Sequence, residues 1–360
     1  MLLLKDICRK GTSAIAQKDL DGRDGCYPIY GASGFIKNVD FFQQESPYIA
    51  VVKDGAGVGR VMKLPAKSSV IGTMQYIIPN EGVNVDYLAY VLEHMDLAKY
   101  YTGATIPHIY FKDYCGEELP NHTQEEQRRI AEVLQNVDNL ILLHQLQLAK
   151  LDELVKSRFI ELFGDQETNP YNLDVGKLSD VADIYLGLTH TPTYVEQGKP
   201  FLSVRDISSG MIDFSNCHYI TEEEFCSLPN GARPKVGDML FCRVGTIGKP
   251  VIIPENTPEF GTFVSVGYLR KKANVNNYYL KSWMENDYFM RQVYDNVAGA
   301  SQINLNTGWL KNFRILIPSM KLQEQFAAFV EQTDKSKLAI QESLAKLEML
   351  KKSLMQQYFG

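Results

Sequence analysis

No stretch of this chain is apolar for long enough to cross a membrane. The apolar runs are short, as at LILLH near Leu140 and MLLL at Met1, and fall far below the ~20 residues a spanning helix needs. Met1-Leu2-Leu3-Leu4 meets Lys5-Asp6 at once, without the basic start and long apolar run of a secretion signal, so a cytoplasmic protein is expected. Metal and disulfide signatures are equally missing. The six cysteines (Cys8, Cys26, Cys115, Cys217, Cys226, Cys242) include no C-x-x-C pair, and the six histidines show no H-x-x-x-H spacing. Reduced, mostly buried thiols are the expectation, with no structural zinc.

Catalytic signatures are scarce too. Neither G-x-S-x-G nor H-E-x-x-H occurs. The glycine loop DGAGVG (Asp54 to Gly59) continues as GRVMKLPAK, so it lacks the helix of a Rossmann turn and the Lys-Ser/Thr of a phosphate loop. A strand-turn-strand is expected there, as at VGTIGKPV. Asn169-Pro170-Tyr171 is a fragment of the N-P-P-Y pattern of amino-methyltransferases with one proline missing, and reads as a turn. Nor is there a basic surplus. Lys and Arg number 37 against 43 Asp and Glu, a net charge of −6. By segment the balance is −2 over residues 1–120, −2 over 121–164, −3 over 165–320 and +1 over 321–360. Attraction to nucleic-acid phosphates from this chain alone is therefore weak.

What the chain does have is repetition. AKLDELVKS (Ala149 to Ser157) returns as AKLEMLKKS (Ala345 to Ser353), 196 residues on, and each runs into an aromatic-Gly ending, LFG at Gly164 and YFG at Gly360. LPNHTQEEQ (Leu119 to Gln127) resembles IPSMKLQEQ (Ile317 to Gln325), which sets Pro120 against Pro318 and Gln127 against Gln325 with two residues lost further on. Upstream, TGATIPHIYFKDY parallels AGASQINLNTGWLKN, YIAVVKDGAGVGRV parallels DMLFCRVGTIGKPV, and YLAYVLEHM parallels YLKSWMEND. The order is the same in both halves, which points to tandem duplication.

From about Gln124 to Phe163 neither Gly nor Pro occurs, and Thr123 with Glu126 fits a capping box. Steps of four and three residues from Ile130 give Leu134, Val137, Ile141, His144, Leu148, Leu151, Val155, Arg158 and Leu162, a coiled-coil seam on a helix about 60 Å long. The second such helix, from about Leu322 to Phe359, has the seam Phe326, Val330, Ile340, Leu344, Leu347, Leu354 and Tyr358, with Thr333, Lys337 and Lys351 out of pattern. The segments before the helices are rich in Gly, Pro, Tyr and short β-like runs, as α+β globules are. The expected order is globule (1–120), long helix (121–164), globule (165–320), long helix (321–360). Antiparallel pairing of the helices within the chain would hold the globules at opposite ends of a stiff spacer; pairing with another subunit is the alternative.

This order, with P-x-x-x-x-x-E-Q opening each helix and an L-F-G-like ending closing it, resembles the specificity subunit of Type I restriction-modification enzymes over essentially all 360 residues. YPIYGASGFI (Tyr27 to Ile36) with VVKDGAGVGRV is similar to one type of target-recognition domain, and LSDVADIYLGLTHTP with FLSVRDIS and GDMLFCRVGTIG to another. The resemblance implies two α+β target-recognition domains, each reading half of a two-part site in double-stranded DNA, and an antiparallel coiled coil with pseudo-twofold symmetry that sets their spacing. It also implies a non-catalytic chain without cofactors of its own. Modification subunits would bring S-adenosylmethionine and methylate adenine, restriction subunits would bring ATP and Mg, and the partners would clamp the duplex. Base readout needs only a few Arg, Lys, Asn or Gln side chains. The candidates beside the β-runs are Lys53, Arg60 and Gln75 in the first globule and Arg205, Arg243, Lys249, Gln302 and Asn304 in the second. The rival reading is a coiled-coil protein-interaction scaffold without DNA sequence preference.

Overall fold

The computed structural model describes residues 2–103, 107–297 and 303–360. They fall into two compact units, Met1–Leu146 with Gln341–Gly360, and Gln147–Ile340. The first holds β1 (Leu2–Leu3), β2 (Cys8–Thr12), β3 (Tyr27–Gly31), β4 (Gly34–Val39) and β5 (Tyr48–Val52). It continues with β6 (Val61–Leu64), β7 (Ser69–Val70), β8 (Met74–Pro79) and β9 (Glu118–Leu119). Its helices are α1 (Leu4–Ile7), α2 (Val85–His94), α3 (Phe111–Tyr114) and the first part of α4 (Gln124–Phe163).

The second unit holds β10 (Asp174–Lys177), β11 (Ala182–Leu186), β12 (Lys199–Leu202), β13 (His218–Ile220) and β14 (Met239–Cys242). Then come β15 (Val251–Ile252), β16 (Gly261–Thr262), β17 (Val266–Lys271) and β18 (Arg314–Ile317). Its helices are α5 (Leu178–Val181), α6 (Glu222–Ser227), α7 (Asn277–Met284), α8 (Asp287–Asn296), α9 (Thr307–Leu310) and the first part of α10 (Met320–Phe359).

Strand order makes the duplication plain. The first unit pairs β1-β9, β2-β8-β5-β6 and β4-β3-β7, and the second pairs β10-β18, β11-β17-β14-β15 and β13-β12-β16. Adding nine to every strand number of the first set yields the second. Even the parallel pairings agree, β3 with β7 and β12 with β16. β5 (YIAVV) and β14 (MLFC) are buried along their whole length as inner strands of the larger sheets, and their unbroken apolar character suits that position.

Both long helices run 40 residues without interruption. The expected box opens α4: Thr123 N–H donates to Glu126 Oε2 at 2.7 Å, and Glu126 N–H to Thr123 Oγ1 at 3.3 Å. Within the first unit, Asp138 meets Lys351 at 2.8 Å and His144 Nε2 meets Ser343 Oγ at 2.9 Å. Within the second, Asp152 meets Lys337 at 2.7 Å, and the Phe159 and Phe163 rings lie 5.6 and 5.5 Å from Phe326. Rising numbers on α4 meet falling numbers on α10 in each unit. The helices are antiparallel.

Two readings of the repeat need correction. Gln127 is not the counterpart of Gln325. Gln127 Oε1 accepts Asn84 N–H and its Nε2 donates to His122 O, while Gln323 Oε1 accepts Asn276 N–H and its Nε2 donates to Pro318 O. The helix repeat therefore runs at a constant 196 residues with nothing dropped. Matching identical letters had misled, because the hydrogen-bond role and not the neighbouring sequence fixes the equivalence. Thr333, Lys337 and Lys351, out of pattern by residue type, also occupy the seam: Thr333 is buried and both lysines are half-buried. Thr333 donates its hydroxyl back to Phe329 O at 2.9 Å, and each lysine meets an α4 aspartate.

The repeated aromatic-Gly endings acquire a purpose at this register. Phe163 packs edge-on against Tyr279 of α7 at 4.7 Å, and Phe359 against Tyr87 of α2 at 5.5 Å. Each docks the last turn of a long helix on the matching helix of a globule. Glu93 and Glu285, also equivalent, each face the seam lysine of their own unit, Lys351 and Lys337. Desolvation pushes both carboxyls above the ordinary range, against the pull of Lys351 on Glu93 and of Lys281, Lys337 and Lys156 on Glu285.

Candidate nucleic-acid interface

In each unit the glycine loop leaving the central strand is held against a segment far along the chain. In the first unit Ile109 N–H donates to Lys53 O at 2.9 Å and Gly55 N–H to Pro107 O at 2.9 Å. In the second, Leu305 N–H donates to Arg243 O at 2.8 Å, and Val244 bridges Asn304. The loops are strand-turn-strand, as β5–β6 and β14–β15 pair antiparallel. Gly59 cannot carry a side chain: its φ is +87°, and a Cβ would lie 2.5 Å from Ala98 N.

The candidate readers fare differently. Lys53 is half-buried and 3.7 Å from Asp54. Arg60 is exposed, but its Nη1 donates to Ala32 O at 2.9 Å and so braces the β3–β4 turn. Arg205 is half-exposed, with Nε on Asp206 at 3.2 Å and Nη2 on Asn216 O at 3.0 Å, bracing the β12–β13 connection. Arg243 spreads its guanidinium over Leu305 O, Val264 O and Asn304 Oδ1, at 3.1, 3.0 and 3.3 Å. The structure thus joins two of the candidates, Arg243 and Asn304, in a loop clamp. Lys249 is exposed and has no hydrogen-bond or ion-pair partner among the described residues. It borders a cavity of about 490 Å³ together with Lys156, Lys281, Asp152, Glu285 and Asp334. Gln302 lies outside the described residues.

Gln75 is withdrawn from the surface. It is 5% exposed, and its Nε2 donates to the Tyr114 hydroxyl at 2.7 Å. A polar side chain on an inner strand looks like a reader in the sequence because its partner stands 39 residues away. Gln75→Ala is expected to cost about 1–3 kcal/mol, the penalty for stranding a buried hydroxyl. Denaturant unfolding measures that loss, and the bases recognised by an assembled complex should not change.

The seam candidates of α4 divide by depth. Ile130, Leu134 and Val137 are buried, and Ile141, Leu148, Leu151 and Val155 are half-buried. On α10, Ile340, Leu344, Leu347 and Leu354 are half-buried. His144 and Arg158 face inward between them, and the Arg158 guanidinium lies over the Phe329 ring at 5.8 Å. Asn169 belongs to the turn after α4. Its side-chain amide bonds both the N–H and C=O of Leu173, at 2.9 Å each. Among the described residues no three His, Cys, Asp or Glu side chains gather as a metal site, and no helix is long and apolar enough to cross a membrane.

Two exposed apolar side chains escaped the sequence reading. Phe35, which follows Gly34 at the start of β4, is 59% exposed, and Met211, which follows Gly210 in the segment between β12 and β13, is 67% exposed. The signal was a bulky apolar residue directly after a turn glycine.

The chain carries the same loop-bearing globule twice, with the same strand order in each unit. The family model of the Type I restriction modification DNA specificity domain matches it twice, over residues 2–153 and 170–349. The Type I restriction enzyme MjaVIII specificity subunit of Methanocaldococcus jannaschii is 23% identical over 397 aligned positions, covering 98% of this chain and 89% of that one. The MjaIX specificity subunit of the same organism is 24% identical over 286 positions, covering 71% of this chain and 63% of that one. The crystal structure of a Type I restriction-modification S subunit from M. genitalium superposes with a TM-score of 0.63 at 16% identity, covering 100% of this chain and 95% of the other. A chain from a study of complex assembly and conformational transition of the type I R-M system gives a TM-score of 0.55 at 14% identity, with 99% and 96% covered. The chain belongs to the Type I restriction-modification DNA specificity family. It is a specificity subunit, the non-catalytic component of such a system.

Proposed function

We propose that this subunit reads an interrupted, two-part site in double-stranded DNA, one half-site per unit, and docks the subunits that act on it. The observation that carries the reading is the strand order that recurs through nine strands in each unit. Two copies of one recognition fold with different loops suit two different half-sites. The target-recognition domains are residues 1–120 and 165–320, and the helices over 121–164 and 321–360 set the spacer between half-sites. The acidic balance fits a subunit whose partners supply the counter-charge for phosphates.

Modification subunits, carrying S-adenosylmethionine and methylating adenine, are the proposed first partners; ATP- and Mg-dependent restriction subunits complete the cytoplasmic enzyme. Leu140, Leu143 and Leu146 on α4 and Met349 on α10 support docking there, being 44–65% exposed and clear of the seam. Co-expression with the cognate modification subunit is expected to produce adenine methylation at one interrupted motif, read by methylome sequencing. An intact complex that leaves no such motif would return the chain to the scaffold reading.

A further inference from the structure

We propose that a cavity in the second unit binds a nucleoside monophosphate, either free or as one nucleotide of a strand. The inference goes beyond the two-part reading of duplex DNA and does not depend on it.

The cavity lies where the duplicated fold departs from its own repeat. The first unit joins β4 to β5 through residues 40–47, and the second joins β13 to β14 through residues 221–238, which carry α6. Residues 65–68 join β6 to β7, and the longer segment 253–260 joins β15 to β16. Both lengthened connections line one hollow of about 610 Å³, to which β11 adds Tyr185 and β17 adds Arg270. That volume is within the ~300–1,000 Å³ of small-molecule sites. The strands differ between the units at the same place. β11 pairs with β17 in the register of β2 with β8, so Tyr185 opposite Tyr268 replaces Gly11 opposite Tyr76, and Arg270 replaces Ile78.

The lining is cationic. Buried Asp238 accepts from Arg270 Nε and Nη2 at 2.9 and 2.7 Å and from Lys235 N–H at 2.8 Å, and its C=O accepts Ile253 N–H at 2.9 Å. One residue thus fixes Arg270 and ties it to both lengthened connections. Arg270 Nη1 and Lys235 Nζ are left without a hydrogen-bond or ion-pair partner among the described residues. Arg233 gives Nη2 to Asn230 Oδ1 at 3.2 Å and makes no other hydrogen bond among them. Against these three cations the described lining sets one acid, Glu259, tied to Lys199 at 2.8 Å. Lys199, and more weakly Arg233, hold its carboxyl below the usual range. Cations gathered about one space repel, and an anion placed among them relieves that repulsion.

A bare phosphate would leave most of the hollow empty, and the rest of the lining suits a ring. Tyr185 stacks on Tyr268 with centroids 4.9 Å apart, and the Arg270 guanidinium lies 5.1 Å from the Tyr185 ring centre. The Arg233 guanidinium sits over the Phe225 ring at 6.0 Å. Aromatic and guanidinium planes are the surfaces on which bases stack. Asn230 Nδ2 and the Tyr185 hydroxyl have no hydrogen-bond partner among the described residues, and both groups can meet the polar edge of a base. The turn that carries Asn230 is held in place, since the Tyr268 hydroxyl donates to Asn230 O at 2.8 Å. An anion for the cations and a flat, polar-edged ring beside it describe a nucleotide.

The test is isothermal titration of the full-length subunit with dAMP, dTMP, deoxyadenosine, inorganic phosphate and a short single-stranded oligonucleotide. The mononucleotides are expected to bind one per chain, more tightly than deoxyadenosine or phosphate. Arg233→Ala and Lys235→Ala should each weaken binding by about tenfold, the worth of one charge-assisted hydrogen bond. Tyr185→Leu should weaken it by about tenfold and Tyr185→Phe by much less. Lys235→Ala, at an exposed side chain, should unfold at the wild-type temperature, so its loss of binding is not a loss of fold. An oligonucleotide that binds and is displaced by dAMP identifies a strand as the source, and binding of the mononucleotides alone identifies a free nucleotide. Phosphate binding as tight as dAMP binding would overturn the site, as would affinity unchanged in Arg233→Ala and Lys235→Ala. Failure of every nucleotide to bind would also overturn it, and loss of the modification subunits in those two variants would then assign the cations to an acidic protein surface. The methylation motif is a separate readout: an intact motif without nucleotide binding fells this site and leaves the DNA reading standing.

Discussion

Phe326→Ala is expected to lower the stability of the second unit by about 3–5 kcal/mol, the range for deleting a fully buried phenyl ring. Phe326 is 0% exposed and sits among Phe159, Phe163 and Tyr279, with Phe159 and Tyr279 stacked at 5.5 Å. Those rings come from α10, α4 and α7, so no one element can close over the space left behind. The chain has its own reporter. Its two tryptophans, Trp283 and Trp309, both lie in the second unit, and Trp283 belongs to the same core. Denaturant unfolding followed by tryptophan fluorescence should therefore show the midpoint fall. An unchanged midpoint would mean that α10 is not packed as described.

Lys351→Glu is expected to destabilise the first unit by about 2–3 kcal/mol, between the worth of an exposed ion pair and a buried one. Lys351 lies 2.8 Å from Asp138 and 3.6 Å from Glu93, and its ammonium sits over the Tyr90 ring at 5.6 Å. Tyr90 in turn donates its hydroxyl to Asp138 at 2.8 Å. Reversal gathers three carboxyl groups in one half-buried space, where Glu93 is already hard to ionise. Adding Asp138→Lys restores an opposite pair and should recover much of the loss. Hydrogen exchange across α2 and the last turns of α10 measures both steps, since tryptophan fluorescence is blind there. Equal exchange in Lys351→Glu and wild type would show that the seam lysine is not a register contact.

Much of this was legible in one dimension. The two long helices stand out because Gly and Pro vanish for about 40 residues while apolar residues recur every three or four. Their observed spans, Gln124–Phe163 and Met320–Phe359, differ from the expected ones by at most two residues. Duplication was legible because both halves keep the same order of motifs. Lys337 and Lys351 were misjudged for a physical reason: a lysine at a seam position looks like a break until its aspartate is seen across the helix pair. Arg60, Arg205 and Arg243 were chosen as readers by residue type, yet each spends guanidinium donors on backbone carbonyls 11 to 62 residues away.

By itself the sequence determined the two-fold repetition, the extent of both helices and which face of each would be covered. Periodicity records those directly, because every third or fourth residue on a helix shares a side whatever it packs against. Tertiary structure alone decided which polar groups face one another, and therefore which charges are free. It matched Gln127 with Gln323 through the backbone groups they hold, turned Gln75 inward to Tyr114 and left Phe35 and Met211 outside. A hydrogen bond or ion pair is satisfied by atoms from distant segments, and local spacing carries no trace of them.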